Sequence, residues 1–333
     1  MGCIQTILLK YLKHPQSAFT RKSSDFIPGS IGEYTDIAIF EFIKNIIDNM
    51  KALWPFLLSL SFSCCFAATD SALVAQAKWK VKKLSPGIFL KTISFKDSTL
   101  FRSNQNISIL EIKQKKKVEF DLAAEARQKK TTSGFGLAAN AIAAINGTFF
   151  DVARGGSVDY LRLNDQVLNE NRKEENNERA RHQQAAVVIR KGKLSLSSWD
   201  GSQEWEKHLQ GEDIMVSGPM LLLGSREIPQ DSSSFSLTRH PRSVIATGRN
   251  NRVLLITIDG RHANAAGMSL QETAKIVRWL RYKDAINLDG GGSTTLWIRN
   301  EPDNGVVNYP SDNKKWDHEG EREVANVVLV KKR

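Results

Sequence analysis

From residue 78 onward, apolar and polar positions alternate far more often than they recur at helical spacing. "KWKVKKLSPGIFLKTISF" (78–95) alternates and ends in a β-like run. "ISILEIKQKKKVEFDLA" (107–123) reads as a strand, a basic turn and a second strand. "FGLAANAIAAINGTFFD" (135–151) begins as a small-residue helix and becomes an apolar strand that ends at Asn146-Gly147. "AAVVIRKGKLSLSS" (185–198) is a hairpin turning at Lys191-Gly192. "DIMVSGPMLLLG" (213–224) is two apolar runs broken by Ser217-Gly218-Pro219, and residues 239–261 hold two strands around a Gly-Arg-Asn-Asn turn.

"SLQETAKIVRWLRY" (269–282) is the clearest helix. Ser269 and Glu272 have capping-box spacing, and Leu270, Ala274, Val277 and Leu280 recur on one face. "REVANVVLVKK" (322–332) is a final strand. Residues 165–183, polar and without period, read as a solvated loop or short exposed helix, with a lid as the alternative. Strands outnumber helices, and there are no repeats. The expected fold class is α+β: a single domain of mixed or antiparallel sheets with a few covering helices.

A different pattern occupies residues 50–67. Met50 and Lys51 precede an almost uncharged apolar run, and Cys65 and Ala67 are small residues where a signal peptidase inspects the chain. This is the anatomy of a secretory signal peptide cleaved after Ala67. The run is short and serine-rich for a membrane span. Its internal position makes residues 1–49 a mis-assigned start or a disordered extension, and residues 68–333 the functional domain. An uncleaved anchor, or a lipoprotein acylated at Cys64 or Cys65, is the alternative, and membrane association is expected only in those cases. "MGCIQT" also has the myristoylation pattern, which a following signal peptide contradicts. The expected location is periplasmic, cell-surface or extracellular.

Composition narrows the chemistry. The 333 residues are 41% hydrophobic and 25% charged, which suits a soluble protein; the net charge of +11 fits nucleic acid, an anionic membrane or an acidic glycan or phosphate as partner, or diffuse basicity that serves solubility alone. No zinc-finger spacing, RNP pattern or aromatic–basic interleaving is present, so nucleic acid is not an expected partner. The cysteines are Cys3, Cys64 and Cys65. Beyond residue 67 there is no thiol nucleophile, thiolate ligand or disulfide.

The run "NLDGGGSTTLW" (287–297) is the strongest local signal. Consecutive glycines let backbone N–H groups converge on an anion, and Ser293 and Thr294 add hydroxyl donors. The Gly-Lys-Ser/Thr ending of a P-loop is missing. Asp289 could be a base, a metal ligand or a sugar-hydroxyl acceptor. Other apolar strands also end in polar residues: Asn146, Gly147 and Thr148; Ser217 and Gly218; His240 and Arg242; Asp259, Gly260 and Arg261. Gathered at one edge, they would suit a sugar and a phosphate, because arginine binds phosphate oxygens bidentately. Asp259 and Asp289 are the candidate carboxylate pair. The arginines beside His240 would lower its pKa and keep it neutral.

In order, "NGTFF", "SGPMLL", "RHPRSVIATG", "ITIDGR", "GMSLQETAKIV", "INLDGGGSTTLW" and "REVANVVLV" make the chain resemble the phosphodiester glycosidases, over residues 86–330. The resemblance implies hydrolysis of a sugar–phosphate glycosidic bond in a phosphorylated glycan. It implies catalytic roles for Asp289, Asp259, His240 and Arg242. It implies substrate binding by Asn146, Gly147, Thr148, Phe150, Ser217, Gly218, Arg261, Gly290, Gly291, Gly292, Ser293 and Thr294. No cofactor is demanded; a divalent cation, Ca or Mg, bridging phosphate and aspartate stays open. The competing readings are a non-catalytic polysaccharide-binding or export module, and a metal-dependent phosphodiesterase that cuts the P–O bond.

Overall fold

The computed structural model describes residues 69–333, apart from 116 and 173–177, together with Glu41, Lys44 and Asn45. The expected signal peptide lies outside the described residues. Residues Ala68–Arg333 form one compact unit. Among the described residues, 17 strands make three sheets, and every pairing between neighbouring strands is antiparallel.

The largest sheet has eight strands in the order β1 (Lys80–Ser85), β2 (Ile88–Leu100), β3 (Ser103–Lys113), β14 (Arg252–Ile258), β13 (Arg242–Gly248), β15 (Asp284–Asn287), β11 (Met220–Leu223), β12 (Arg226–Glu227). The second has five, in the order β7 (Gln166–Asn169), β6 (Leu161–Leu163), β10 (Asp213–Ser217), β8 (Ala185–Arg190), β9 (Lys193–Ser198). The third has four, in the order β16 (Leu296–Ile298), β5 (Ala143–Asn146), β17 (Asn326–Lys332), β4 (Val118–Ala124).

The period-2 geometry of a strand sends successive side chains to opposite faces. In β14, Val253 and Leu255 enter the central core, while Leu254, Ile256 and Ile258 enter a second apolar layer. This is why the central strands read as unbroken apolar runs instead of alternating: both faces are buried. The central core joins all three sheets, with Leu110, Ile189, Met215, Ile286, Leu296 and Val328 among its members.

Short helices cover the outer faces. The described helices of this unit are α1 (Asp70–Gln76), α2 (Thr132–Ala138), α3 (Trp205–His208), α4 (Ser234–Leu237) and α5 (Leu270–Trp279). Helix α5 buries Leu270, Ala274, Ile276 and Val277 against the eight-stranded sheet, and its Ser269–Glu272 capping box is formed in both directions. That box satisfies two N–H groups the first turn would otherwise leave bare. Phe135 of α2 packs with Trp297 outside the four-stranded sheet, and Trp205 of α3 packs outside the five-stranded sheet. The expected α+β architecture of antiparallel sheets with a few covering helices is the observed one.

The 165–183 stretch departs from the expected loop or short helix. It starts inside the β6–β7 hairpin and ends in a single 3-10 turn at Arg181–Gln183. Its polar side chains turn inward as well as outward: Gln183 is buried, and Arg179 pairs with buried Glu206 at 2.6 Å.

Candidate active site at the strand ends

Register places the polar strand ends at one pole. Arg242 is opposite Ile258, Val244 is opposite Asn287, and Val327 is opposite Asn146. Asn146 then ties two sheets together. Its Nδ2 donates to the Asp289 carbonyl at 2.7 Å, and its Oδ1 accepts from the Ser243 hydroxyl at 2.6 Å and the Thr295 N–H at 3.1 Å. The Asp289 N–H returns to the Gly147 carbonyl at 3.0 Å. Asn146 is therefore fully engaged in bracing the carboxylate-bearing loop.

The three glycines each meet a different neighbour. A Cβ on Gly290 would stand 2.6 Å from the Pro241 carbonyl oxygen; on Gly291, 2.9 Å from the Arg261 guanidinium; on Gly292, 2.5 Å from the Asp312 carboxylate and 2.6 Å from the Arg322 guanidinium. Gly291 also has φ +61°, in the region where an L side chain is strained. The run lets two guanidinium groups, Arg261 and Arg322, lie directly on the backbone after Asp289. Arg322 is paired with Asp312. The Arg261 side chain is exposed and has no ion pair among the described residues.

Asp289 is half-buried at the base of this loop. Burial pushes its pKa up to about 6; the neighbouring Ser293 hydroxyl, Arg322 and Gly290 N–H lower it, and the Asp159 charge adds to the rise. The Thr294 and Thr295 hydroxyls and His240 Nδ1 are buried without a hydrogen-bond partner. Burying a hydroxyl without a partner costs free energy, so this group of orphaned donors and acceptors is what a polar ligand would satisfy. Burial, then the Arg242 and Arg261 charges, lower the His240 pKa, which keeps the ring neutral near pH 7.

Residues with no signal in the sequence form a recess beside the Asp289 loop, near enough for the Asp159 charge to act on Asp289. Buried Asp159 accepts from Thr148 Oγ1 at 3.0 Å and Gln183 Nε2 at 3.1 Å, and His182 Nε2 lies 3.1 Å from its Oδ1. Phe149 packs on the His182 ring with centroids 4.9 Å apart and meets Phe235 at 5.9 Å. These rings wall a recess of about 220 Å³ that Pro219 and Asp231 also line. His182 falls within the polar 165–183 stretch; only a distant partner such as Asp159 distinguishes it there.

Six expected site residues are placed differently from the sequence reading. Arg242 is 1% exposed, and its guanidinium donates to the Met268, Phe235 and Thr238 carbonyls at 2.9, 2.8 and 3.0 Å. It holds α4 and the 268 strand edge and does not face the recess. Burial lowers its pKa to about 10. Asp259 is fully buried, and both oxygens are taken: Asn106 Nδ2 at 2.6 Å, Asn308 Nδ2 at 3.0 Å and the Tyr309 N–H at 2.9 Å. Phe150 packs in the Trp297 cluster, and it is Phe149 that lines the recess. Ser217 donates to the Asn287 carbonyl at 3.2 Å, and Gly218 accepts from Asn287 Nδ2 at 3.0 Å, so both brace the β10–β15 junction. Gly147 is a point of close approach, where a Cβ would lie 2.1 Å from Asn326 Oδ1.

Among the described residues, no three His, Cys, Asp or Glu side chains are grouped as a metal-binding set.

The sequence profile of the phosphodiester glycosidases matches residues 139–331. The chain belongs to this family. The matched segment holds every candidate residue named above except Asn106. Comparison with curated proteins gives no match. Among solved structures, the catalytic domain of zebrafish N-acetylglucosamine-1-phosphodiester alpha-N-acetylglucosaminidase, auto-inhibited by its pro-peptide, is similar: TM-score 0.57 and 18% identity, covering 77% of this chain and 88% of that one. A hypothetical protein from Synechocystis is similar at TM-score 0.55 and 15% identity, covering 77% of this chain. The chain spans 64% of the Synechocystis protein. At these identities the likeness is one of fold.

Proposed function

We infer that this phosphodiester glycosidase is exported and hydrolyses the bond between an anomeric carbon and a phosphate oxygen in a phosphorylated glycan. The observation that carries the reading is an exposed Arg261 lying against Gly291 in the glycine run that follows Asp289, inside the segment that matches the family.

The chemistry suits these groups. Water adds to the anomeric carbon, the carbon–oxygen bond to phosphate breaks, and its electron pair stays on the phosphate. A phosphate monoester is already a good leaving group, so strong general-acid protonation is not required. Arg261, the Gly292 N–H and the unpartnered Thr294 hydroxyl stabilise the departing charge. Asp289, with a pKa near 6, is largely ionised at neutral pH. There it takes the proton from water or stabilises the cationic anomeric centre. His240, neutral, donates or accepts a hydrogen bond at the phosphate. Asp159 orients His182 against the same recess. Arg242 and Asp259 act by holding the loops in place.

The test is product analysis. Residues 68–333 are incubated with UDP-N-acetylglucosamine and with bacterial glycan phosphodiesters, with and without EDTA, and products are identified by mass. Free sugar, with phosphate left on the aglycone, is expected. Sugar phosphate would move the cut to the P–O bond, and binding without cleavage of any substrate would make the chain a glycan-binding module.

A further inference from the structure

The basic turn between β3 and β4 takes no part in the site described above. Register puts it at the opposite pole: Lys113 is opposite Arg252, Lys332 is opposite Val118, and Arg190 is opposite Lys193. At about 3.4 Å per residue, the length of β14 separates this pole from the Asp289 pole by about 20 Å.

Here two turns from different sheets are locked together. Gln114 donates from Nε2 to the Leu194 carbonyl at 2.9 Å and accepts the Leu194 N–H on Oε1 at 2.8 Å. The Phe120 N–H donates to the Gly192 carbonyl at 2.9 Å. Gly192 sits so close that a Cβ would be 2.6 Å from that of Glu119. The locked turns bring Lys115, Lys117, Lys191 and Lys193 around one recess of about 810 Å³. All four are exposed, and none has an ion pair among the described residues. The adjacent acids are engaged: Glu119 lies 3.7 Å from Arg333, and Glu212 accepts the Lys191 N–H at 2.8 Å.

Like charges gathered in this way repel one another and destabilise the fold, yet the Gln114 clasp and the Gly192 contact enforce the grouping. Lysines serving only solubility need no such convergence. A concave, cationic recess walled by two rigid turns fits a chain of phosphates better than a flat bilayer surface, which favours exposed apolar side chains for insertion.

We propose that this recess is a second, non-catalytic binding site for a phosphodiester-linked polyanionic glycan. Held there, a polymer is anchored about 20 Å from the Asp289 recess, which raises the local concentration of its other phosphodiester units at that recess.

Binding is read directly, so the outcome is independent of whether the Asp289 site hydrolyses anything. Fluorescently labelled poly(glycerol phosphate) is titrated with the wild-type protein, and with variants carrying Lys115→Ala, Lys117→Ala, Lys191→Ala and Lys193→Ala together, or the four Lys→Glu changes, across a range of salt. Thermal unfolding checks that each variant is folded. The expected result is at least a tenfold loss of affinity in the alanine variant and a larger loss in the glutamate variant. A shallower salt dependence is also expected, because fewer counterions are released. Arg261→Ala should leave most of the polymer affinity intact. Unchanged affinity in both lysine variants, or no wild-type binding to the polymer, overturns the proposal. So does lysine-dependent binding to phosphatidylglycerol vesicles in place of the polymer, which would make the face a membrane contact.

Discussion

Two strand ends in this molecule look alike in sequence and behave differently in space. β14 runs into Asp259-Gly260, and the chain after β15 runs into Asp289-Gly290. Burial pushes both carboxyls up to about 6. Asp259, however, is sealed, with Asn106, Asn308 and the Tyr309 N–H on its two oxygens. Asp289 is reached by solvent, and the loop it opens carries buried hydroxyls without a partner and lies against the exposed Arg261. An aspartate-glycine pair after an apolar strand therefore marks a strand end and no more. Its role depends on side chains far away in sequence: Asn106 is 153 positions from Asp259.

The sharpest way to break this contrast is to remove each carboxylate. Asp289→Asn is expected to lower kcat by about 10²–10⁴-fold, the usual scale for a lost general base, with the circular dichroism spectrum unchanged. Full turnover in this variant would remove Asp289 from the chemistry. Asp259→Ala should act on folding. It orphans the Asn106 and Asn308 amides and a backbone N–H in the core, which costs about 3 kcal/mol, read as a lower urea midpoint. An Asp259→Ala protein of wild-type stability that is catalytically dead would reverse the two assignments.

A smaller effect is the pH dependence that Asp289 confers. Folding raises the Asp289 pKa above its ordinary value near 3.8, so the folded state holds a proton that the unfolded chain has released. Its contribution to stability is favourable below pH 4 and is lost as pH rises through about 6. Asp289→Asn removes that cost. The variant should be more stable than wild type by about 3 kcal/mol at pH 8, and the gain should disappear near pH 4. Thermal melts at the two pH values measure this. In the wild type, hydrolysis should fall as pH drops through about 6, where Asp289 takes up its proton.

Much of the scaffold was legible because periodicity is local. The α5 capping box needs only Ser269 and Glu272, and the β8–β9 hairpin needs only Lys191-Gly192 and its flanking alternation. The glycine run announced itself because three glycines cost ordering entropy that something must offset. Direction was not legible. An arginine beside a histidine at a strand start suggested phosphate binding, but Arg242 points into three carbonyl groups, while Arg261 is the exposed guanidinium on Gly291. Phe149 and Phe150 illustrate the same limit: adjacent side chains face opposite ways, and which one meets the recess depends on where Trp297 packs. Asp159 and His182 gave no signal at all, since their meaning lies in each other.

The smallest effect tests whether the glycine run is there for Arg261. Gly291→Ala introduces a methyl group at φ +61°, 2.9 Å from the Arg261 guanidinium. The left-handed backbone costs about 1 kcal/mol for a residue with a Cβ, and the guanidinium must move off the loop. If Arg261 grips substrate phosphate, KM should rise about tenfold, equivalent to ~1.4 kcal/mol of binding, with kcat changed less. Arg261→Ala should raise KM at least as much, and the two changes together should be no worse than Arg261→Ala alone, because the methyl group would then have nothing to displace. Additive effects would mean that the glycine serves the loop's own geometry and that Arg261 acts independently of it.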